Sequence, residues 1–190
     1  MIKKVILLLV VALFFYTCKQ DKNKAITENE IKNMITLGNS ISAETQSVLL
    51  KNVAEAIKKG GTDYAVDFCN VNVFMLTDSV ANKHTLTIQR LSNKNRNPNN
   101  VLQTHRDSLA WEKINTDKST FIEQYENGEI YFYKPISIKM PTCIKCHGNQ
   151  TDISESTKKI IAKRYPNDKA TGYKMGDLRG MWKIKLEKNK

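Results

Sequence analysis

The chain has 190 residues, 30 Lys and Arg against 19 Asp and Glu, a formal charge of +11 and four cysteines. That length holds one domain with a modest core and excludes a multidomain machine. The basic balance would suit nucleic acid, but the N-terminus sends the chain out of the cytoplasm, so nucleic acid is excluded as a partner. The lysines are read as solvated surface, or as attraction to anionic lipid headgroups or an acidic redox partner.

Met1-Ile2-Lys3-Lys4 followed by the apolar run Val5 to Tyr16 is a basic start and a stretch too short to span a bilayer as a mature helix. It predicts a secretory signal over residues 1–17. The run ends at Cys18, and Lys19-Gln20-Asp21-Lys22-Asn23-Lys24 is then abruptly polar. A cysteine placed there is similar to the lipid-acceptor cysteine of bacterial lipoproteins; the alternative is a signal cleaved elsewhere. Residues 18–26 are expected to be a tether and residues 27–190 the folded domain.

Thr27-Glu28-Asn29-Glu30 has the spacing of a capping box, and Ile31, Met34, Ile35, Val48, Leu49, Val53, Ala56 and Ile57 recur at helical intervals. Gly38-Asn39-Ser40 is expected to kink this helix, and Gly60-Gly61 to end it through a left-handed cap. Thr62 or Asp63 starts a second helix on which Ala65, Cys69, Asn72, Val73 and Leu76 share one face. Cys69 therefore points inward, either as a small buried hydrophobe or as a ligand to a bound metal. From Thr85 the pattern alternates as a strand ending near Leu91, and Ser92 to Asn100 reads as an asparagine-rich loop. Leu102 to Ile114 reads as a helix, Asn127-Gly128 as a hairpin turn, and Ile130 to Tyr133 and Ile136 to Ile138 as strands. Ser156 to Arg164 is expected to be helical, and Met181 to Leu186 to close the sheet.

Cys143-Ile144-Lys145-Cys146-His147 has the spacing for covalent attachment of one c-type haem. Each thiol can add across a vinyl group to form a thioether, and the adjacent imidazole can then bind iron. Zinc would ask for four ligands, usually two such pairs, and one pair is present. A redox dithiol should open a helix after a buried strand, whereas Pro141-Thr142 and Gly148-Asn149-Gln150 make the motif read as a loop. His84, His105, Met34, Met75, Met140, Met175 and Met181 stand beside Cys69 as candidates for the second axial position. Arg90 and Arg96 read either as guanidinium forks for haem propionates or as solvated loop cations.

Several stretches together resemble one family: Ala65 to Cys69, Arg90-Leu91-Ser92, Arg96 to Asn99, Tyr131 to Pro135, Cys143 to Gly148, Tyr165 to Tyr173 and Gly176 to Gly180. That family is the single-haem c-type domains with a PAS-like core, catalogued as a domain of unknown function and found free-standing or as the extracytoplasmic sensor of histidine kinases. The resemblance implies an α+β fold, a PAS-like antiparallel sheet with long N-terminal helices and a haem-attachment loop. It also implies that His147 and Cys69 ligate the iron from opposite sides.

The function expected is a lipid-anchored haem protein of the bacterial cell envelope, periplasmic or on the outer membrane, acting with a redox partner protein in low-potential electron transfer or redox sensing. A thiolate ligand favours ferric iron and so a low potential. The alternatives are a gas or small-ligand sensor working with a separate signalling partner, since no kinase follows Lys190, and less readily a haem peroxidase. An enzyme is not expected, and a homodimer stays open.

Overall fold

Reciprocal bonds between Thr27 and Glu30 start the first helix in the computed structural model, which describes residues 24–188. The signal stretch and Cys18 lie outside the described residues. Helix α1 runs Glu28–His84, and its backbone leaves helical geometry at Gly60 and at Gly61, whose φ of 70° needs a residue without Cβ. The two arms on either side of this break both pack on the sheet. On the second arm's N-terminal turn, Asp63 accepts a bond from Thr157, and the Thr62 and Thr157 hydroxyls lie 2.7 Å apart.

Four strands follow in the order β1-β4-β3-β2, all antiparallel: β1 Thr87–Leu91, β2 Phe121–Gln124, β3 Ile130–Ser137 and β4 Leu178–Leu186. Alternation divides their side chains between two faces. Ile88, Ile130, Phe132, Trp182, Ile184 and Leu186 meet Met34, Ile41, Leu49, Val73 and Val80 of α1. Leu91, Tyr133 and Met181 meet Ala110, Trp111 and Ile114 of α2, His105–Asp117, on the opposite face. The sheet is thus a middle layer, and each large side chain buried on it stabilises by about 1.5–3 kcal/mol relative to exposure. Helices α3, Pro141–His147, and α4, Glu155–Arg164, lie between β3 and β4 in sequence. The α+β class, the antiparallel sheet and the long helical N-terminus are those expected.

Four local expectations are corrected. The chain does not kink at Gly38-Asn39-Ser40, because α1 runs through it; a Cβ on Gly38 would lie 2.3 Å from the Phe132 ring, so this glycine lets helix and sheet approach. Gly38→Ala is expected to destabilise the fold by about 1–3 kcal/mol through overpacking, against a helix-propensity gain of at most about 1 kcal/mol. Urea denaturation measures it, and a variant as stable as wild type would contradict the packing. The strand predicted from Thr85 begins at Thr87, since Thr85 is the left-handed cap of α1. The two strands predicted on either side of Lys134-Pro135 are one, β3. Pro135 is tolerated there because β2 pairs only as far as Tyr133, leaving the edge free where a proline lacks its N–H. The haem motif is not a loop but the short helix α3, begun by Pro141 in its first turn.

Candidate functional site

Cys143 and Cys146, three apart on α3, stand on neighbouring positions of one helix side. Cys146 packs against Val66, Ile153, Ile161 and Tyr165, while Cys143 and Ile144 pack against Ile138, Ala170 and Tyr173. Two short apolar clusters therefore hold the motif, one from α1 and α4 and the other from the segment before β4. The carbonyls that a helix leaves unpaired at its C-terminus are taken up in turn. Arg96 Nη2 donates to the Cys146 carbonyl at 2.7 Å, the Tyr173 amide to that of His147 at 2.9 Å, and the Gly172 amide to that of Gly148 at 2.7 Å.

Arg96 is itself fixed by both oxygens of Asp168, Nη2 to Oδ2 at 2.9 Å and Nε to Oδ1 at 3.2 Å, with the two side chains only 10% and 8% exposed. Asp168 also accepts from the Ala170 amide at 2.9 Å, shaping the turn that carries the Ala170 carbonyl. His147 Nδ1 lies 2.8 Å from that carbonyl. A carbonyl oxygen only accepts, so Nδ1 carries the proton and Nε2 keeps its lone pair. Burial, with Arg179 and Arg96 acting in the same direction, holds the His147 pKa well below its ordinary value, against the opposing bond to Ala170. The imidazole is neutral at pH 7 and offers one nitrogen as a ligand.

Cys69, half-buried on the second arm of α1, packs at the margin of the main core. Burial pushes its thiol up to about 11; Cys146 acts in the same direction, and Arg90 and Arg96 oppose it. Groups that perturb one another in this way lie near one another. Cys69, Cys146, Arg90 and Arg96 are thus brought together from α1, α3, β1 and the segment after β1, and His147 feels Arg90, Arg96 and Arg179 in turn. Cys69, Cys143 and Cys146 are free thiols, and among the described residues no three His, Cys, Asp or Glu side chains converge as a metal site, which leaves the zinc reading without a ligand set.

The other candidates for a second axial ligand are engaged in the core or with other groups, or are exposed. His84 Nε2 bonds Glu44 at 2.7 Å on the first arm of α1, and His105 opens α2 on the far side of the sheet. Met34 and Met181 are core residues on opposite faces, and Met75, Met140 and Met175 are exposed.

Two residues of the Tyr165 to Gly180 stretch join the site: Tyr173, which the sequence offers only as one of several core or haem-packing aromatics, and Arg179, which it does not single out. Tyr173 stands edge-on to His147, ring centroids 6.4 Å apart, and the Arg179 guanidinium lies 5.4 Å from the Tyr173 ring. Tyr173 Oη and Arg179 Nε are buried without a hydrogen-bond partner. Both lie in stretches that carried the family resemblance, but nothing in their spacing indicates chemistry.

The model of the Tll0287-like family matches residues 19–186, nearly the whole chain. The chain belongs to the Tll0287-like family. This is the family of single-haem c-type domains that the sequence resembles. A crystal structure of a cyanobacterial haem protein of the family, Tll0287, superimposes with a TM-score of 0.62 over 81% of this chain and 94% of that one. The two are 20% identical, so the likeness shows the fold alone. No curated protein matches the chain.

Proposed function

We propose that this chain is an exported c-type haem protein that carries single electrons or reports redox state, and is not an enzyme. Cys143 and Cys146 would hold the haem through thioethers, and His147 Nε2 and the Cys69 sulfur would bind its iron. The observation that carries the reading is the His147 imidazole, whose Nδ1 is held by the Ala170 carbonyl so that Nε2 is left free for a metal, with Cys69 of α1 lying near Cys146 of α3. The cyanobacterial relative is described as a haem protein, which agrees with it.

The donor set fits such a group: two thiols one helical turn apart, a neutral imidazole with a free nitrogen, a third thiol near Cys146, and buried polar atoms that lack partners. Bound there, haem supplies a one-electron ferric/ferrous couple. The protein's own residues do the positioning. Arg96 and the Ala170 turn set the end of α3, and the apolar clusters around Cys143 and Cys146 pack against the two thiols. If His147 and Cys69 both held the iron, no position would be left open for peroxide or gas, which favours electron transfer over catalysis. Cys18 would carry the lipid that holds the protein to the bacterial envelope, within reach of its redox partner.

Expression in a host competent for cytochrome maturation tests the attachment. The purified protein should be coloured and heavier than the polypeptide by one haem, and the bond should survive acid extraction. Cys143→Ala/Cys146→Ala should lose all covalent haem while keeping the fold by circular dichroism. A colourless wild type of bare polypeptide mass would end the reading.

A further inference from the structure

The cations around the site outnumber its anions. Arg90, Arg96 and Arg179 act on one another and on His147, yet the one carboxylate among the groups that perturb them is Asp168. Asp168 is committed to Arg96 through both oxygens. The Arg96 fork is spent on Asp168 and the Cys146 carbonyl, which makes it a positioning residue. The other two arginines are not spent. Arg90, on the face of β1 that looks towards α1, makes no hydrogen bond or ion pair among the described residues and has only the Trp182 ring, 6.0 Å away. Arg179 is oriented by Nη1, which reaches the Lys94 carbonyl at 3.2 Å and Ser92 Oγ at 3.4 Å, and its buried Nε is left without a partner. Beside it Tyr173, 5% exposed, buries a hydroxyl that meets no acceptor, though it lies close enough to the Arg179 guanidinium for the two to interact.

Buried donors without acceptors each cost about 1–3 kcal/mol, so a fold that keeps Tyr173 Oη and Arg179 Nε together is shaped for an acceptor. Three guanidiniums sharing one carboxylate leave two positive charges, the number that two further carboxylates would neutralise. We propose that Arg90, Arg179 and Tyr173 form the carboxylate-binding end of the site and receive the two propionates of the haem. This rests on the haem reading above. Lys94 supports the end from outside, its Nζ donating to the Thr171 carbonyl at 2.7 Å and lying 4.4 Å from the Tyr173 ring.

The test uses haem-loaded wild type, Arg179→Gln, Arg90→Gln and Tyr173→Phe, reading the midpoint potential and the propionate-bending band in resonance Raman. Each arginine variant should shift the ferric/ferrous equilibrium about tenfold towards ferric, a fall of about 59 mV, because a cation near iron favours the reduced state. Tyr173→Phe removes an O–H that donates to nothing within the polypeptide, so it should fold as wild type, move the Raman band and lower the potential less. Arg179→Gln also loses the bonds to Ser92 and Lys94; should it fail to fold, Arg90→Gln and Tyr173→Phe decide. An unmoved band and potential in those two, with haem retained, overturn the carboxylate assignment and leave the haem reading intact. A wild type without haem overturns both.

Discussion

Replacing Cys69 with alanine is expected to leave the haem attached, abolish the thiolate signature in the optical and electron paramagnetic spectra, and raise the midpoint potential. In the proposed site the attachment would depend on Cys143 and Cys146 of α3, while Cys69 comes from α1, so the two roles separate cleanly. An anionic sulfur donates charge to iron and holds it ferric; losing it should shift the equilibrium on the order of a hundredfold towards ferrous, about 120 mV for one electron. Cys69→Met, which offers a thioether of opposite preference, should raise the potential at least as far. The thiol also gives the coordination a pH dependence. Burial holds its free pKa up at about 11, so ligation must displace a proton, and binding weakens as the pH falls, with Arg90 and Arg96 partly offsetting this. Spectra unchanged between wild type and Cys69→Ala would remove this residue from the iron.

What the sequence made legible is what local chemistry dictates. The Thr27 capping box, the glycine break at residues 60–61, the Asn127-Gly128 turn and the alternation of β4 each depend on neighbours a few residues away, and each is found. The readings that failed depended on distant partners. Gly38 looked like a breaker because its reason, the Phe132 ring, is nearly a hundred residues further on. Pro135 looked like a strand end because its tolerance depends on where β2 stops. The same division holds at the site: Cys143, Cys146 and His147 announce themselves by spacing, and Cys69 needed a family resemblance. Arg179 and Tyr173 become visible only once the segment before β4 folds back on α3 and leaves their polar atoms without partners. Arg96, legible as a cation, shows its employment only in the pairing with Asp168.

Asp107 carries the largest stability effect expected outside the site. Its carboxylate, only 2% exposed, joins the two outer features of the far face: Oδ2 accepts from the amides of Gln103 and Thr104 at 3.2 and 3.0 Å, capping α2, and Oδ1 accepts from Lys183 Nζ of β4 at 2.7 Å. Asp107→Ala therefore opens the helix cap and leaves a lysine, itself 12% exposed, without a counter-charge. Removing one partner of a buried pair costs about 3–5 kcal/mol, a large share of the 5–15 kcal/mol typical of a domain. Asp107→Asn keeps the shape and loses only the charge, so it should recover part of the cap and little of the pair. The pH dependence follows from the direction of the shift. Burial alone would raise the Asp107 pKa, but the bonds from Lys183 and Thr104 outweigh it and hold the pKa below its ordinary value. A group bound more tightly when ionised adds stability that is fully present above the unfolded-state pKa, about 3.9, and is lost as the pH falls through the lowered folded value. Urea midpoints measured from pH 7 down to pH 3 should converge between wild type and Asp107→Asn at the acid end. A gap that stays constant across that range would mean that Asp107 acts through shape alone.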